Sequence, residues 1–421
     1  MKSFLPGLLA TMKILHTADW HLGHQLCKHS RKKEHQLFTS WLLDIIESNN
    51  ISVLIISGDI FDSGFPPNYA LAQYYDFLKR LSETCCHHAI IVGGNHDMPS
   101  TLNAPRDILK YFQIHVFGGA ESDYQKQIIP IHDDNEKLYA IICAVPFLRA
   151  RELKLNHAGE TYTQKDRSLV RAMVNHYNQV ATCAHTINEK CLPKVPLIAT
   201  GHLFTAGGKI SDTERDLYIG QLKHMPVNMF PEIFDYIALG HLHQCQCLSQ
   251  NPSTYYSGSP IPLSFNEARH KQYVLIVDFN NSNTANVRKE IVPRFRPLIK
   301  IRGHLQEIEE KLNNFSHLSS NDLTPWLEID IQDEKPLPEM IENIISSFEK
   351  REYNVLKIIC KPSNSQQIDF QAQKLDELNP MEVFQKRCEA DGIVGDDYQF
   401  LMNTFKDLMF LVHMESEKED N

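Results

Sequence analysis

The chain has 421 residues, 42% hydrophobic and 22% charged, with a formal net charge of −10 and a pI near 6.1. That composition is globular and too long for a single typical core, and it lacks the run of about 18 apolar residues that would span a membrane. The acidic balance argues against nucleic-acid binding through the overall field, so any such binding would need local basic patches or a partner.

Residues 1–11, MKSFLPGLLAT, faintly suggest a signal peptide, but Pro6 interrupts the apolar run and no clear small-x-small cleavage site follows. Met12 reads as the functional start. From there strands are expected at 13–18, 53–57, 89–92 and 114–117. Helices are expected at 34–48, 68–82 and shortly after Pro105, an α/β alternation. A hairpin at 126–131 and 137–144, a helix at 163–181, and strands at 196–200, 235–239, 254–257 and 272–279 follow. So many strands imply two packed sheets with helices outside them, and a large domain over 12–280.

The Asn-rich stretch 280–286 reads as a turn or loop. The pattern then restarts on a smaller scale: strand 297–302, helix 304–314, strand 326–331, helix 337–349, strand 354–360. This is expected to be a separate small α/β domain within 290–362. Residues 361–374 have linker composition. Asn379, Pro380 and Glu382 form the start signals of a helix. In a second helix Tyr398, Leu401, Met402, Phe405, Leu408, Met409 and Val412 follow a helical stripe that can pack on its own domain or dock on another chain. The helical segment spans 375–414, and the acidic tail 415–420 reads as solvated. Ten cysteines without a regular framework fit a reduced, cytoplasmic protein. Neither Cys85-Cys86 nor Cys245-Gln246-Cys247 has the spacing of a redox or zinc motif.

The chemistry sits in five loops at predicted strand ends. Leu54-Ile55-Ile56-Ser57-Gly58-Asp59 reads as a buried strand that delivers Asp59 to its C-terminal loop. The others are Asp19-Trp20-His21, Gly94-Asn95-His96-Asp97, Gly201-His202 and Gly240-His241-Leu242-His243. Taken singly each has an ordinary reading, since Gly, Asn and Asp serve turns and the chain holds 21 histidines. Taken together they look like the ligand set of a two-metal phosphoesterase. Two cations about 3.5–4 Å apart acidify a bound water and clamp attacking and leaving oxygens, which requires one bridging carboxylate. Asp59 is the candidate bridge. Asp19 and His21 share one side of an extended segment and can grip one ion. His241 and His243 can act together or divide between the two, while Asn95 offers a carbonyl oxygen and His202 an imidazole.

DWHLG, GDIFDSG, GGNHD, TGHL and GHLH, in that order and spacing, resemble the calcineurin-like metallophosphoesterases. More narrowly, the run from MKILHTADWHLG through ATGHL, RDLYIG, DYIALGHLH and YYSGSPIPLSF is similar to the SbcD family, nuclease subunits of bacterial SbcCD complexes. The close match covers roughly 12–280. The resemblance implies a first metal held by Asp19, His21, Asp59 and His243, and a second held by Asp59, Asn95, His202 and His241. It implies His96 as the non-ligand catalytic histidine, a role suited to a group that titrates near neutrality. Archaeal and eukaryotic relatives carry a second catalytic histidine three residues after the bridging aspartate, where this sequence has Asp62.

The resemblance further implies a Mn-dependent phosphodiester hydrolase that cuts double-stranded DNA from the 3′ end and single-stranded DNA internally. Its context would be recombination, repair and replication. The small domain corresponds to a capping domain. The C-terminal helices would bind an SMC-type coiled-coil ATPase, with two copies of each subunit. Lys28, Arg31, Lys32, Lys33, Arg149 and Arg151 are candidates to track a phosphate backbone, or ordinary solvated charges. A phosphatase acting on cyclic nucleotides or phosphoproteins is the alternative, weakened by Ser63 and Asp97 where serine/threonine phosphatases have Arg and Glu. A non-catalytic scaffold would require the ligand set to have lapsed.

Overall fold

Val53, Leu54, Ile55 and Ile56 are all fully buried. A strand covered on both faces leaves no position for a polar side chain, which is why the run is unbroken. Val53 and Ile55 point into a core shared by two sheets, with Ile14, Ile90 and Val92 beside them and Ile129, Ile142, Ile198 and Ala238 opposite. Leu54 and Ile56 point the other way, beneath Phe38, Leu42 and Ile46 of helix Lys32–Asn49 and Tyr74, Phe77 and Leu81 of helix Asn68–Leu81. The second sheet repeats the arrangement: Ile141, Leu197, Ala199 and Ile237 lie under Met173, Tyr177, Val180 and Ala184 of helix Tyr162–Asn188. The layers therefore run helix, sheet, sheet, helix. Each fully buried aliphatic side chain contributes roughly 1.5–3 kcal/mol, so the sandwich is a rigid base for the loops at its rim.

In this computed structural model each of the two sheets has six strands. The first runs Ala285–Ile291, Tyr273–Phe279, Lys13–Thr17, Val53–Ser57, His88–Val92, Ile114–Phe117, its last four strands parallel. The second runs Gln246–Gln250, Ser253–Tyr256, Tyr236–Gly240, Leu197–His202, Leu138–Cys143, Ile128–His132, with a parallel centre and antiparallel edges. Two strands depart from the sequence expectation. Ala285–Ile291 begins inside the stretch read as a loop and adds an antiparallel edge to the first sheet. Gln246–Gln250 forms the edge of the second where no strand is expected. The helix expected at 163–181 continues to Asn188.

A three-stranded parallel sheet, Leu298–Gly303, Trp326–Ile331 and Asn354–Cys360, forms the smaller α/β part. Ile308 and Leu312 of helix Leu305–Asn313 pack on Leu327, Ile329 and Ile331. It meets the sandwich at a cluster of Leu26, Phe265, Ala268, Leu298 and Trp326. Beside that cluster Arg31 and Arg296 both bond Glu34 Oε1, at 2.8 and 2.7 Å, and both guanidiniums face the Trp326 ring. The structure describes residues 12–133, 136–153, 162–205, 225–280, 282–313, 323–332 and 353–360, and scattered positions between 384 and 405. The expected helix 337–349, the linker 361–374 and the two terminal segments lie outside the described residues. The chain divides into two units, 1–363 and 364–421. Within the second, Phe405 of the predicted apolar stripe stacks on Phe384, with ring centroids 4.1 Å apart.

Candidate metal centre

The loops after Lys13–Thr17 and Val53–Ser57 run side by side. Asp19 N–H donates to the Gly58 carbonyl at 3.0 Å, His21 N–H to Asp59 at 3.0 Å and Leu22 N–H to Ile60 at 2.9 Å. This pairing sets Asp19 and His21 against Asp59. Left-handed backbone at Asp19 (φ 55°), His21 (φ 48°), Asp59 (φ 49°) and His241 (φ 107°) turns those side chains toward the centre. The two sheets are joined at the same level by His202, whose Nδ1 lies 2.9 Å from the Ser57 carbonyl. Gly240 is required there, since a Cβ would fall 1.9 Å from that carbonyl oxygen.

All seven expected ligands and His96 come together. Donor atoms of Asp19, His21 and His243 lie within 4.8 Å of one another, and so do those of Asp59, His202 and His241 and those of His21, Asp59 and His96. Asn95 Oδ1 lies 2.9 Å from His202 Nε2 and 3.0 Å from His241 Nδ1. His96 N–H donates to Asp59 Oδ1 at 2.9 Å, and His96 Nδ1 lies 2.8 Å from the Asp62 carbonyl. His241 and His243 fall in different donor groups, His243 with Asp19 and His21, and His241 with Asp59 and His202.

The donor set fits divalent cations. Asp19 Oδ2 and both ring nitrogens of His21 are buried without a hydrogen-bond partner, as ligand atoms facing a cation would be. Burial pushes the Asp19 carboxyl up to about 7 against the pull of His202 and His243. Burial also drives His21 down to about 4. For His202 burial is outweighed by the Asp59 and Asp19 carboxylates, which raise it to about 9. Asp59 stays well below the carboxylate range because neighbouring imidazoles, His202 foremost, overcome its own burial. These buried groups share protons that a bound cation would displace.

Several neighbours are not evident from sequence. The buried Asp97 carboxylate accepts from the backbone N–H groups of Gly94, Ile60 and Phe61, at 2.8, 3.1 and 2.9 Å, latching two site loops together. Arg149, a candidate phosphate contact, instead donates to the carbonyls of Gly94 and Asp97 at 2.9 and 2.6 Å. Arg31 is likewise corrected: it is buried, paired with Glu34 and bonded to the Pro262 carbonyl. Both arginines are committed because their loops bury carbonyls and a carboxylate that need donors. Lys28, Lys32, Lys33 and Arg151 remain exposed. Glu267 faces His243 Nδ1 at 3.1 Å; no sequence signal marks it.

Residues 12–245 match the family described as calcineurin-like phosphoesterase, and residues 294–391 match one described as type 5 capsule protein repressor C-terminal domain. The SbcD subunit of the nuclease SbcCD from Escherichia coli (strain K12) is 35% identical over 396 residues, 94% of this chain and 97% of that protein. The chain belongs to the SbcD family. Proteins of the same name from Bacillus subtilis (strain 168) and Rhodobacter capsulatus are 29% and 28% identical, covering 76% and 89% of this chain and 79% and 93% of theirs. This SbcD-family chain is a phosphodiester hydrolase that uses divalent metal. No helix among its described residues is long and apolar enough to cross a membrane.

Proposed function

We propose that this protein is the DNA nuclease subunit of an SbcCD-type complex, working as a 3′–5′ double-strand exonuclease and a single-strand endonuclease, hairpins included. The convergence of the seven candidate ligands and His96 at one rim carries this reading. Asp19, His21, Asp59 and His243 would hold one ion, and Asp59, Asn95, His202 and His241 the other, Mn²⁺ being our assignment. Bound there, the ions would supply a nucleophilic water and neutralise phosphate charge.

The chain's own residues set the rest. His96 Nδ1 donates to the Asp62 carbonyl, which fixes the ring and leaves Nε2 to give a proton to the departing oxygen. The hydrogen bond from His96 N–H to Asp59 Oδ1 keeps that ring in register with the bridging carboxylate. Exposed Lys28, Lys32, Lys33 and Arg151 are the cations available to the DNA backbone. We assign residues 12–280 to the nuclease domain, 290–362 to a cap and 375–414 to the segment that binds an SbcC-like SMC-type ATPase. The assembly has two copies of each subunit, acts in the bacterial cytoplasm, and depends on ATP for cutting duplex ends.

The test is Mn²⁺-dependent cutting of end-labelled linear duplex and of a single-stranded circle, wild type against His96→Gln, with and without the ATPase and ATP. Cutting lost in His96→Gln while bound metal is retained supports the reading. A wild-type protein that leaves DNA intact with its partner present, yet hydrolyses bis-p-nitrophenyl phosphate, would replace it with a small-substrate phosphoesterase.

A further inference from the structure

The site described above does not use the side chain of Asp62. That side chain touches two imidazoles. Asp62 Oδ1 lies 3.3 Å from His21 Nδ1 and 3.1 Å from His24 Nδ1. The other nitrogen of His24 lies 3.2 Å from the Leu263 carbonyl. The N–H of the same Leu263 donates to Glu267 Oε2 at 2.8 Å, and Glu267 Oε1 lies 3.1 Å from His243 Nδ1. His21 and His243 meet edge to face with ring centroids 5.2 Å apart, which closes the circuit.

We infer that Asp62 and Glu267, tied together through His24 and the Leu263 peptide, are positioning residues that hold His21 and His243 for the first metal ion. The inference rests on the two-metal reading above. An imidazole whose Nδ1–H points at a carboxylate keeps its Nε2 lone pair for a cation, and its ring cannot swing away. For His21 the direction is explicit: Nδ1 faces Asp62, and Nε2 faces the bridging Asp59 at 3.7 Å. Both imidazoles of the Asp19, His21, His243 triad have a carboxylate oxygen beside Nδ1, as a hydrogen bond from Glu267 at His243 and as a 3.3 Å ion-pair contact with Asp62 at His21. The other triad differs, because His202 is oriented through Nδ1 by the neutral Ser57 carbonyl. The belt therefore serves one of two adjacent ion positions.

This also explains an aspartate at position 62. One carboxylate oxygen, with two lone pairs, can face the His24 hydrogen bond and the His21 ring at 3.3 Å together, which a neutral histidine with a single acceptor nitrogen cannot do. Its carbonyl is already engaged with His96, so residue 62 contacts a candidate ligand and the candidate proton donor together. Glu267 is buried, and each of its carboxylate oxygens has a named partner. Gln keeps the shape of that side chain and removes its charge.

The experiment is Mn²⁺ titration of the metal-free full-length protein, followed by electron paramagnetic resonance and calorimetry, for wild type, Asp62→Asn, Glu267→Gln and Glu267→Ala. We expect two ions per wild-type chain. Each variant should weaken one ion by about ten- to hundredfold and leave the other unchanged, the usual cost of losing a partner behind a metal-binding histidine. Hydrolysis of bis-p-nitrophenyl phosphate should then need correspondingly more Mn²⁺ while the saturated kcat recovers to within a few-fold. A structural role alone would lower the melting temperature without separating the two ions. Equal weakening of both ions, or unchanged affinity for both, overturns the inference while leaving the two-metal reading intact. A wild type that binds fewer than two ions overturns that reading itself. If Glu267→Ala does not fold, the isosteric Gln and Asn variants decide the matter.

Discussion

Gly94→Ala tests how tightly the loops are set. A Cβ on Gly94 would lie 2.1 Å from Asp59 Oδ1 and 2.4 Å from Asp59 N, where ordinary contact begins at 3.4 Å. One loop must retreat by roughly 1 Å, and the backbone nitrogen cannot rotate aside as a side chain would. Retreat also strains the Asp97 carboxylate, which bonds Gly94 N–H on one loop and Ile60 and Phe61 N–H on the other. Overpacking costs about 1–3 kcal/mol, and weakening two of those hydrogen bonds adds about 1 kcal/mol each. We expect a destabilisation of about 3–5 kcal/mol in urea unfolding of the metal-free protein. Displacing the candidate bridge by that distance should cut Mn²⁺-dependent hydrolysis of bis-p-nitrophenyl phosphate by about a hundredfold. Gly64→Ala is the control, because its Cβ would meet nothing nearer than Met98 Cβ at 3.5 Å. If Gly94→Ala kept activity within threefold of that control, the loops would be far more compliant than these contacts imply.

Glu34→Gln removes the carboxylate between buried Arg31 and Arg296, and leaving such charges uncompensated should cost about 3–5 kcal/mol in denaturant unfolding. A loss under about 1 kcal/mol would show that Trp326 and the carbonyls carry the pair instead. Arg149→Met should lower kcat by about ten- to a hundredfold with a modest fall in melting temperature, because the Gly94 and Asp97 carbonyls flank Asn95 and His96. Arg149→Lys should restore it only in part, since a lone ammonium lacks the second terminal nitrogen that meets the Gly118 carbonyl and Glu152 while Nη2 meets the Gly94 and Asp97 carbonyls; full activity in either variant would refute the brace. Burial holds His35 down at about 3, against an ordinary value of 6.5. The neutral form therefore adds stability that is complete above pH 6.5 and lost as pH falls toward 3. A His35→Asn protein should lose stability less steeply than wild type between about pH 6 and 4, by roughly 1.4 kcal/mol per pH unit. Equal slopes would mean that folded His35 takes up its proton near neutrality.

What the sequence made legible was local. Strands buried on both faces announce themselves as unbroken apolar runs, and a Gly followed by Asp, Asn or His at their ends marks the loops that converge. The two strands missed in the large sheets are edge strands. In Gln246–Gln250 and Ala285–Ile291 no residue is fully buried and polar side chains predominate, so no hydrophobic period survives to be read. The misassigned arginines fail for a different reason. Arg31 meets Pro262 and Arg149 meets Gly94, partners 231 and 55 residues away, and their local partners Glu34 and Glu152, three residues on, read equally well as surface pairs. Glu267 shares that difficulty, since its alignment with His243 depends on a turn that returns the chain after 24 residues.

The strained backbone points to a rim built for something other than stability. Asp19, His21, Asp59 and His241 all adopt left-handed φ values. Aspartate and histidine enter that region more often than most side chains, yet each such residue still costs on the order of 1–3 kcal/mol unless its surroundings impose it. The surroundings do so: the loop-to-loop hydrogen bonds at Asp19, His21 and Leu22 fix three successive turns, and Asp19 Oδ1 accepts the backbone N–H of His241 at 2.9 Å. Asp19 combines left-handed backbone, a raised carboxyl and an unpartnered buried oxygen, His21 combines left-handed backbone with two unpartnered ring nitrogens, and Asp59 is left-handed with its carboxyl held low. A fold selected for stability alone would relieve each of these with an apolar substitution at small cost. Their coincidence is what a site preorganised for cations requires, because the ligands must already be turned inward before the charge that satisfies them arrives.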